Sequence, residues 1–279
     1  MIDKDKIKID FSKRLSLLKA ELPELTIYEV EKLVEHTMCT NIKIDLADLT
    51  SWSEKKNKDF KIAVEEIPLK SLNKWKFTDE NISHESGRFF EILGLRISDN
   101  SGREINEGWD QPIVKEHNFD GGVLALIRTY INDLPHYLVQ ARFEPGNYGP
   151  IQISPTLQAT FSNLNQEHGG RKPHYHEFFD DFDTKNENYI FNEWLSEDGG
   201  KFYKKRNRGL VKQVEYKDTY LVDDNFVWVS LYQIKKLMNS NSLINPHLAR
   251  LIFLQNENIN SWKWRSYKKK NTSSIKENK

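Results

Sequence analysis

The side chains best suited to chemistry cluster between positions 140 and 170, QARFEPGNYGPIQISPTLQATFSNLNQEHGG, where amides and hydroxyls recur among apolar residues. Gln140, Asn147, Gln152, Gln158, Thr160 and Asn163 are costly to bury on strands unless each finds a partner. They form either a ligand-facing wall or a dense internal network. In IQIS and LQAT every second side chain can hydrogen-bond, the period-2 pattern of strands with one polar face. A well-satisfied sheet exterior would show the same pattern. Pro145-Gly146-Asn147 reads as a turn, and Ser154-Pro155 as a bulge or an edge. His174 and His176 would share one face of a strand and, with His168 and Asp180, could hold a divalent ion. Such pairs are more often surface features, and no metal is expected.

These residues need a scaffold, and length and composition bound it. At 279 residues the chain can bury a sizeable core, and its formal net charge of zero calls for neither nucleic acid nor an anionic membrane. The single cysteine, Cys39, excludes an internal disulfide framework and fits a reducing cytoplasm. No apolar run reaches the roughly 18 residues of a spanning helix, and MIDKDKIKID lacks the apolar region of a signal peptide. A soluble cytoplasmic protein with a core rich in Phe, Tyr and Trp is expected.

Along the chain, Phe11, Leu15, Leu18 and Leu22 have helical spacing and Pro23 ends the run. Thr26 and Glu29 form a capping box before a second apolar face of Val30, Leu33, Val34 and Met38. Two short helices thus make an N-terminal hairpin whose faces need cover from the main domain or a second subunit. SWSEKKNKD reads as a polar linker. A short strand and turn are expected over 62–64 and 67–69, and strands over 89–97, 109–114, 122–129, 136–143, 189–195, 209–215 and 227–229, with DNSGRE and Asn132-Asp133 as hairpin turns. Ser230 and Asn245 cap two final helices, the second with Pro246 at its first position. The division is 1–58 helical extension and linker, 59–267 main α+β domain, and 268–279 a disordered basic tail.

VEEIPLKSLNKW, ISHESGRFFEILGLRI, WDQPIV, VQARFEPGN, QISPTLQATFSN, HGG, SEDGGKFYKKRNR and FVWVSLYQIKKLM resemble, in order, the signature blocks of the NDP-hexose 2,3-dehydratase family over about residues 64–254. The resemblance implies a Nudix-like mixed β-sheet module acting on nucleotide-linked 4-keto-6-deoxyhexoses, typically dTDP-activated. Family members carry two tandem copies and resemble homodimers, whereas this chain has one copy, so self-pairing into a homodimer is implied. Lys115-Glu116-His117, Asn207-Arg208-Gly209-Leu210 and Asn245-Pro246-His247 depart from the family's pattern.

The implied reaction is loss of water across C2 and C3. The C3 hydrogen is acidic because the neighbouring ketone takes up the charge as an enolate. A base at C3, donors at O4 and an acid for the C2 hydroxyl are required, and neither metal nor redox cofactor. Glu144 and Glu197, each beside glycines in a matching block, are the carboxylate candidates, with His168 and Tyr175 as alternative acid and base. Arg88, Arg206 and Arg208 suit a diphosphate, although 204–208 could equally be a solvated turn. Trp109 and Trp228 could stack a nucleobase or fill a core. Gln140, Asn147, Gln158 and Asn163 would read sugar hydroxyls or base edges. A non-catalytic nucleotide-sugar-binding subunit is the alternative. Diphosphate hydrolysis of the Nudix type has little support, because only Gly209 and Glu215 match the first step of its motif.

Overall fold

A computed structural model describes residues 4–38, 47–98, 108–116, 120–149, 151–167, 169–183, 186, 188–217, 223–240 and 242–254. His168, the DNSGRE turn and the basic tail lie outside the described residues. The architecture is α+β, as the mixture of periodicities implies. Among the described residues no helix is long and apolar enough to cross a membrane.

The main sheet grows around β5 (Asp120–Ile131), whose run GGVLALIRT is buried on both faces. Such a strand suits a central position, and it pairs in parallel with β10 (Arg206–Gln213). β10 in turn pairs antiparallel with the edge strand β9 (Tyr189–Ser196). A two-residue turn at Asn132 and Asp133, both at positive φ (51° and 59°), leads from β5 into β6 (Leu134–Phe143). β5 and β6 pair only from Ile127 to Ile131 and then separate. Beyond the split β6 takes β7 (Ile151–Pro155) and β5 takes β8 (Leu157–Thr160). The Thr156 hydroxyl holds the fork, accepting from Ile127 N at 2.9 Å and donating to the Leu138 carbonyl at 2.5 Å. β11 (Phe226–Val229) flanks β6. Gly122 is required where β8 crosses close by, since a Cβ there would stand 2.1 Å from the Ala159 carbonyl oxygen.

A second, antiparallel sheet is built from β1 (Trp75–Phe77), β2 (Asn81–His84), β3 (Glu91–Ile97) and β4 (Trp109–Lys115). It is fastened to the main body where Val114 N donates to Lys201 O and Tyr203 N donates to Val114 O. Residues 61–70 are exposed, and the short strand expected at 62–64 does not form. Without a neighbouring ladder only a 3-10 turn, Leu69–Ser71, survives there.

The helices cover the sheet. α1 (Lys4–Glu21) and α2 (Ile27–Met38) form the expected hairpin, with the Thr26–Glu29 capping box in place. Phe11, Val34 and Met38 pack together with Leu134 against them, so the main domain itself covers these faces. The polar stretch read as a linker is instead α3 (Ala47–Asp59), and charged residues suit a helix with one narrow docking stripe. Leu49 and Trp52 enter the core, the Trp52 indole donates to Asp224 O, and Lys56 pairs with Asp224. A single helical turn, α4 (Phe161–Leu164), follows β8 with Thr160 as its N-cap. α5 (Leu231–Leu237), opened by a Ser230–Gln233 capping box, and α6 (Pro246–Leu254) pack on the same core as α3.

Candidate active site

Several strand ends converge at one edge of the main sheet. β5 and β10 start there together, β9 and β6 run opposite to them and finish there, and β7 begins beside Phe143. α6 is brought to the same place because Asn245 N donates to Ile153 O. The sequence therefore delivers Glu144 just past β6, Glu197 just past β9 and His247 in the first turn of α6 to one location.

Both carboxylates are held by side-chain amides. Glu144 accepts from Gln158 Nε2 at 2.7 Å and from Asn245 Nδ2 at 3.1 Å, with Arg142 Nε 3.5 Å away. Glu197 accepts from Asn207 Nδ2 at 2.6 Å, lies 3.4 Å from Arg250 and 4.0 Å from His247 Nε2. Arg250 also donates to the Ser196 carbonyl. Lys205 and Glu116 form an adjoining pair at 2.5 Å, packed over Gly121, where a Cβ would meet Lys205, Asn207 and Glu116 side-chain atoms within 3.0 Å.

Asn245 organises the centre. It is 2% exposed, its Nδ2 also donates to Gln152 Oε1, and its Oδ1 accepts from His247 N, capping the turn of α6 that carries the imidazole. Burial depresses the pKa of His247, Arg250 and Lys205 push it the same way, and Glu197 and Glu144 oppose them. The imidazole feels both carboxylates and both cations, which ties the four groups into one electrostatic unit.

Of the residues expected from sequence, Glu144, Glu197 and Gln158 meet here. Gln140 is spent on the carbonyls of Pro155 and Thr156, Gln152 on Ser242 O and Asn245, and Thr160 on its cap. For these three the internal network is what the structure contains. Buried polar atoms of Gln158 (Oε1), Asn147 (Nδ2) and His247 (Nδ1) have no hydrogen-bond partner among the described residues. Asn163 is exposed. Tyr175 is 2% exposed, in the core against Phe226 on the other face of the sheet, and does not join the cluster. Arg206 and Arg208 lie over the Trp194 ring at 4.2 and 5.3 Å rather than beside Glu197. Arg88 donates to Glu167 O, Trp109 to Gln111, and Trp228 packs edge-on to Tyr216. His174 and His176 contact Asp223 and Pro173 O, and no group of three His, Cys, Asp or Glu suited to a metal occurs among the described residues.

Sequence reasoning missed Asn245, His247, Asn207, Arg250, Lys205 and Glu116. The Asn245-Pro246 cap was legible, but that it binds Glu144 and carries a histidine to within 4.0 Å of Glu197 was not. A groove of about 670 Å³ opens between β9, α5 and α6, lined by Trp194, Met238, Ile252 and Phe253. It is mainly apolar and touches the acidic cluster only through Ser196 and Arg250.

The model of the NDP-hexose 2,3-dehydratase family matches residues 46–254, three quarters of the chain and every element around this site. The chain belongs to that family. This NDP-hexose 2,3-dehydratase family chain is 36% identical over 181 residues to a dTDP-4-dehydro-6-deoxy-alpha-D-glucopyranose 2,3-dehydratase of Saccharopolyspora spinosa, covering 64% of the chain and 36% of the relative. A protein of the same name from Amycolatopsis orientalis is 33% identical over 209 residues, 73% of the chain and 43% of the relative. A third, from Streptomyces violaceoruber, is 35% identical over 208 residues, 72% and 44%. The family member described here spans less than half the length of these relatives. A crystal structure of an ADP compounds hydrolase aligns with a TM-score of 0.36 at 12% identity, over 69% of this chain and 97% of that one, a likeness too slight to carry an argument.

Proposed function

We propose that this chain removes water across C2 and C3 of a nucleotide-linked 4-keto-6-deoxyhexose, dTDP-linked as in its relatives' names, within deoxysugar biosynthesis. One observation carries the reading. The His247 imidazole lies 4.0 Å from Glu197, and Asn245 links the start of its helix to Glu144, each carboxylate being held by an amide donor and Arg250 reaching Glu197. The elimination needs a proton acceptor, a proton donor and positive potential near the developing O4 enolate, and the Glu144–His247–Glu197 group with its two cations contains all three. Gln158 and Asn147 keep unspent polar atoms for sugar hydroxyls.

The active assembly is a homodimer, located in the cytoplasm. The segment 61–70 supports pairing, because it exposes Ile62, Val64, Ile67 and Leu69, each at 48% or more. A monomeric mass at micromolar concentration with activity intact would remove this part.

The test of function is incubation with dTDP-4-keto-6-deoxyglucose in deuterated buffer, following water loss and deuterium entry at C3. Both are expected in the parent and strongly reduced in Glu197→Gln. Tight binding with neither outcome would mark a nucleotide-sugar-binding protein instead.

A further inference from the structure

We propose that His247 is the single proton carrier of the elimination, taking the C3 hydrogen of the bound ketosugar and delivering it to the departing C2 oxygen. The assignment rests on the dehydratase reading and goes beyond it by choosing among the titratable groups. Glu144 has an amide donor on each carboxylate oxygen, and Glu197 has Asn207 on one and Arg250 beside the other. Both carboxylates therefore have their oxygens already engaged by other side chains. The imidazole differs. Its Nε2 faces Glu197 across 4.0 Å, and its buried Nδ1 has no hydrogen-bond partner among the described residues.

Its position is fixed by Asn245 and Pro246 at the start of α6, where the helix terminus adds positive partial charge and disfavours imidazolium. The groups facing it are Glu144 beyond β6, Glu197 beyond β9, Lys205 ahead of β10, which is paired with Glu116 beyond β4, and Arg250 one turn along α6. Burial outweighs the two carboxylates, so the resting imidazole is neutral and ready to accept. Once protonated it is a strong enough acid to give the proton back.

The step balances without a co-reactant. The C3–H bond breaks, its electron pair forms the C3–C4 enolate, and the proton moves to the imidazole. Enolate collapse then forms the C2–C3 double bond and restores the ketone as the C2–O bond breaks. The imidazolium proton leaves on that oxygen as water, and neutral His247 is regenerated. In a gluco-configured ring C3–H and C2–O lie on the same face, so one group on that face can serve both ends. Glu197 steadies the transient imidazolium, and Glu144 is a positioning residue.

The experiment uses full-length parent, His247→Gln and His247→Ala with dTDP-4-keto-6-deoxyglucose in deuterated buffer, with dTDP binding followed by tryptophan fluorescence as the folding control. Expected are a loss of roughly 10²-fold or more in both C3 exchange and water loss with dTDP binding retained, and partial return of both in His247→Ala on adding free imidazole. The parent's kcat/KM should fall on the acid side with a midpoint below 6.5, and His247→Gln should lack that limb. C3 exchange at the parental rate in either variant would overturn the assignment, as would intact dTDP binding with no response to imidazole. A parent inert in both readouts would overturn the dehydratase reading itself and the assignment with it. Variants that lose dTDP binding while the parent's acid limb is missing would likewise overturn it.

Discussion

Replacing Arg128 by Met tests what joins the N-terminal helices to the sheet. Arg128 is 1% exposed on β5, and its guanidinium reaches Glu31 at 3.2 Å and Glu35 at 3.3 Å on α2, and Gln213 at 2.6 Å on β10. Tyr130 and Tyr137 donate to the same two carboxylates, at 2.5 and 3.1 Å. Methionine preserves much of the stem but leaves two buried carboxylates without their cation, which costs about 3–5 kcal/mol. At about 2–4 °C per kcal/mol for a chain of this size, the melting temperature should fall by about 6–20 °C. Burial already raises the Glu35 carboxyl in spite of Arg128, and losing the cation raises it further. A carboxyl with a raised folded pKa contributes stability at low pH that is lost as pH rises through that value, so the deficit should be larger at pH 8 than at pH 5. Calorimetry of Arg128→Met and of the triple Arg128→Met, Glu31→Gln, Glu35→Gln decides the matter, and the triple should regain a large part of the loss because no orphaned charge remains. A single variant melting within about 2 °C of the parent, or a triple no better than the single, would refute the reasoning.

Three further outcomes are expected. Gly121→Ala should depress the proposed dehydration while leaving the melting temperature nearly unchanged, because its Cβ displaces the movable ends of Lys205, Asn207 and Glu116. Gly122→Ala, whose Cβ meets the Ala159 backbone at 2.1 Å, should instead unfold the protein early, and equal effects from both would contradict the geometry. Asn245→Ala should cost about 1 kcal/mol in urea unfolding through the lost cap, and should lower kcat more than it raises KM, since Glu144 loses a donor and the helix turn carrying His247 loses its cap. His36, beside Lys235 at 2.6 Å, is held at about 4, first by burial and then by Lys235 and Lys32. With a depressed folded pKa its contribution is present above about 6.5 and lost as pH falls toward 4, reduced by solvent screening because the ring is only partly buried. Urea midpoints at pH 7.5 and 5 should show that slope flattened in His36→Gln.

Local sequence determined what local physics controls. The Thr26–Glu29 and Ser230–Gln233 boxes, the Asn132-Asp133 turn and the central strand could be read directly, because caps, positive-φ turns and apolar runs are decided within a few residues. The ordered blocks placed the chain in its family, and Glu144, Gln158 and Glu197 were picked out on that basis. Tertiary structure decided which polar side chains remain available. Gln140 and Gln152 were indistinguishable from Gln158 in pattern, yet the fork between β5 and β6 directs the first to backbone carbonyls, and α6 engages the second through Asn245. SWSEKKNKD became a helix because Leu49 and Trp52 enter the core and the Trp52 indole bonds Asp224 O, 172 residues away, contacts no window of that stretch contains. His247 could not be singled out beforehand for the same reason. Its chemistry comes from Glu144, Glu197 and Lys205, far away in sequence, and only the convergence of strand ends brings charge and burial together at one imidazole.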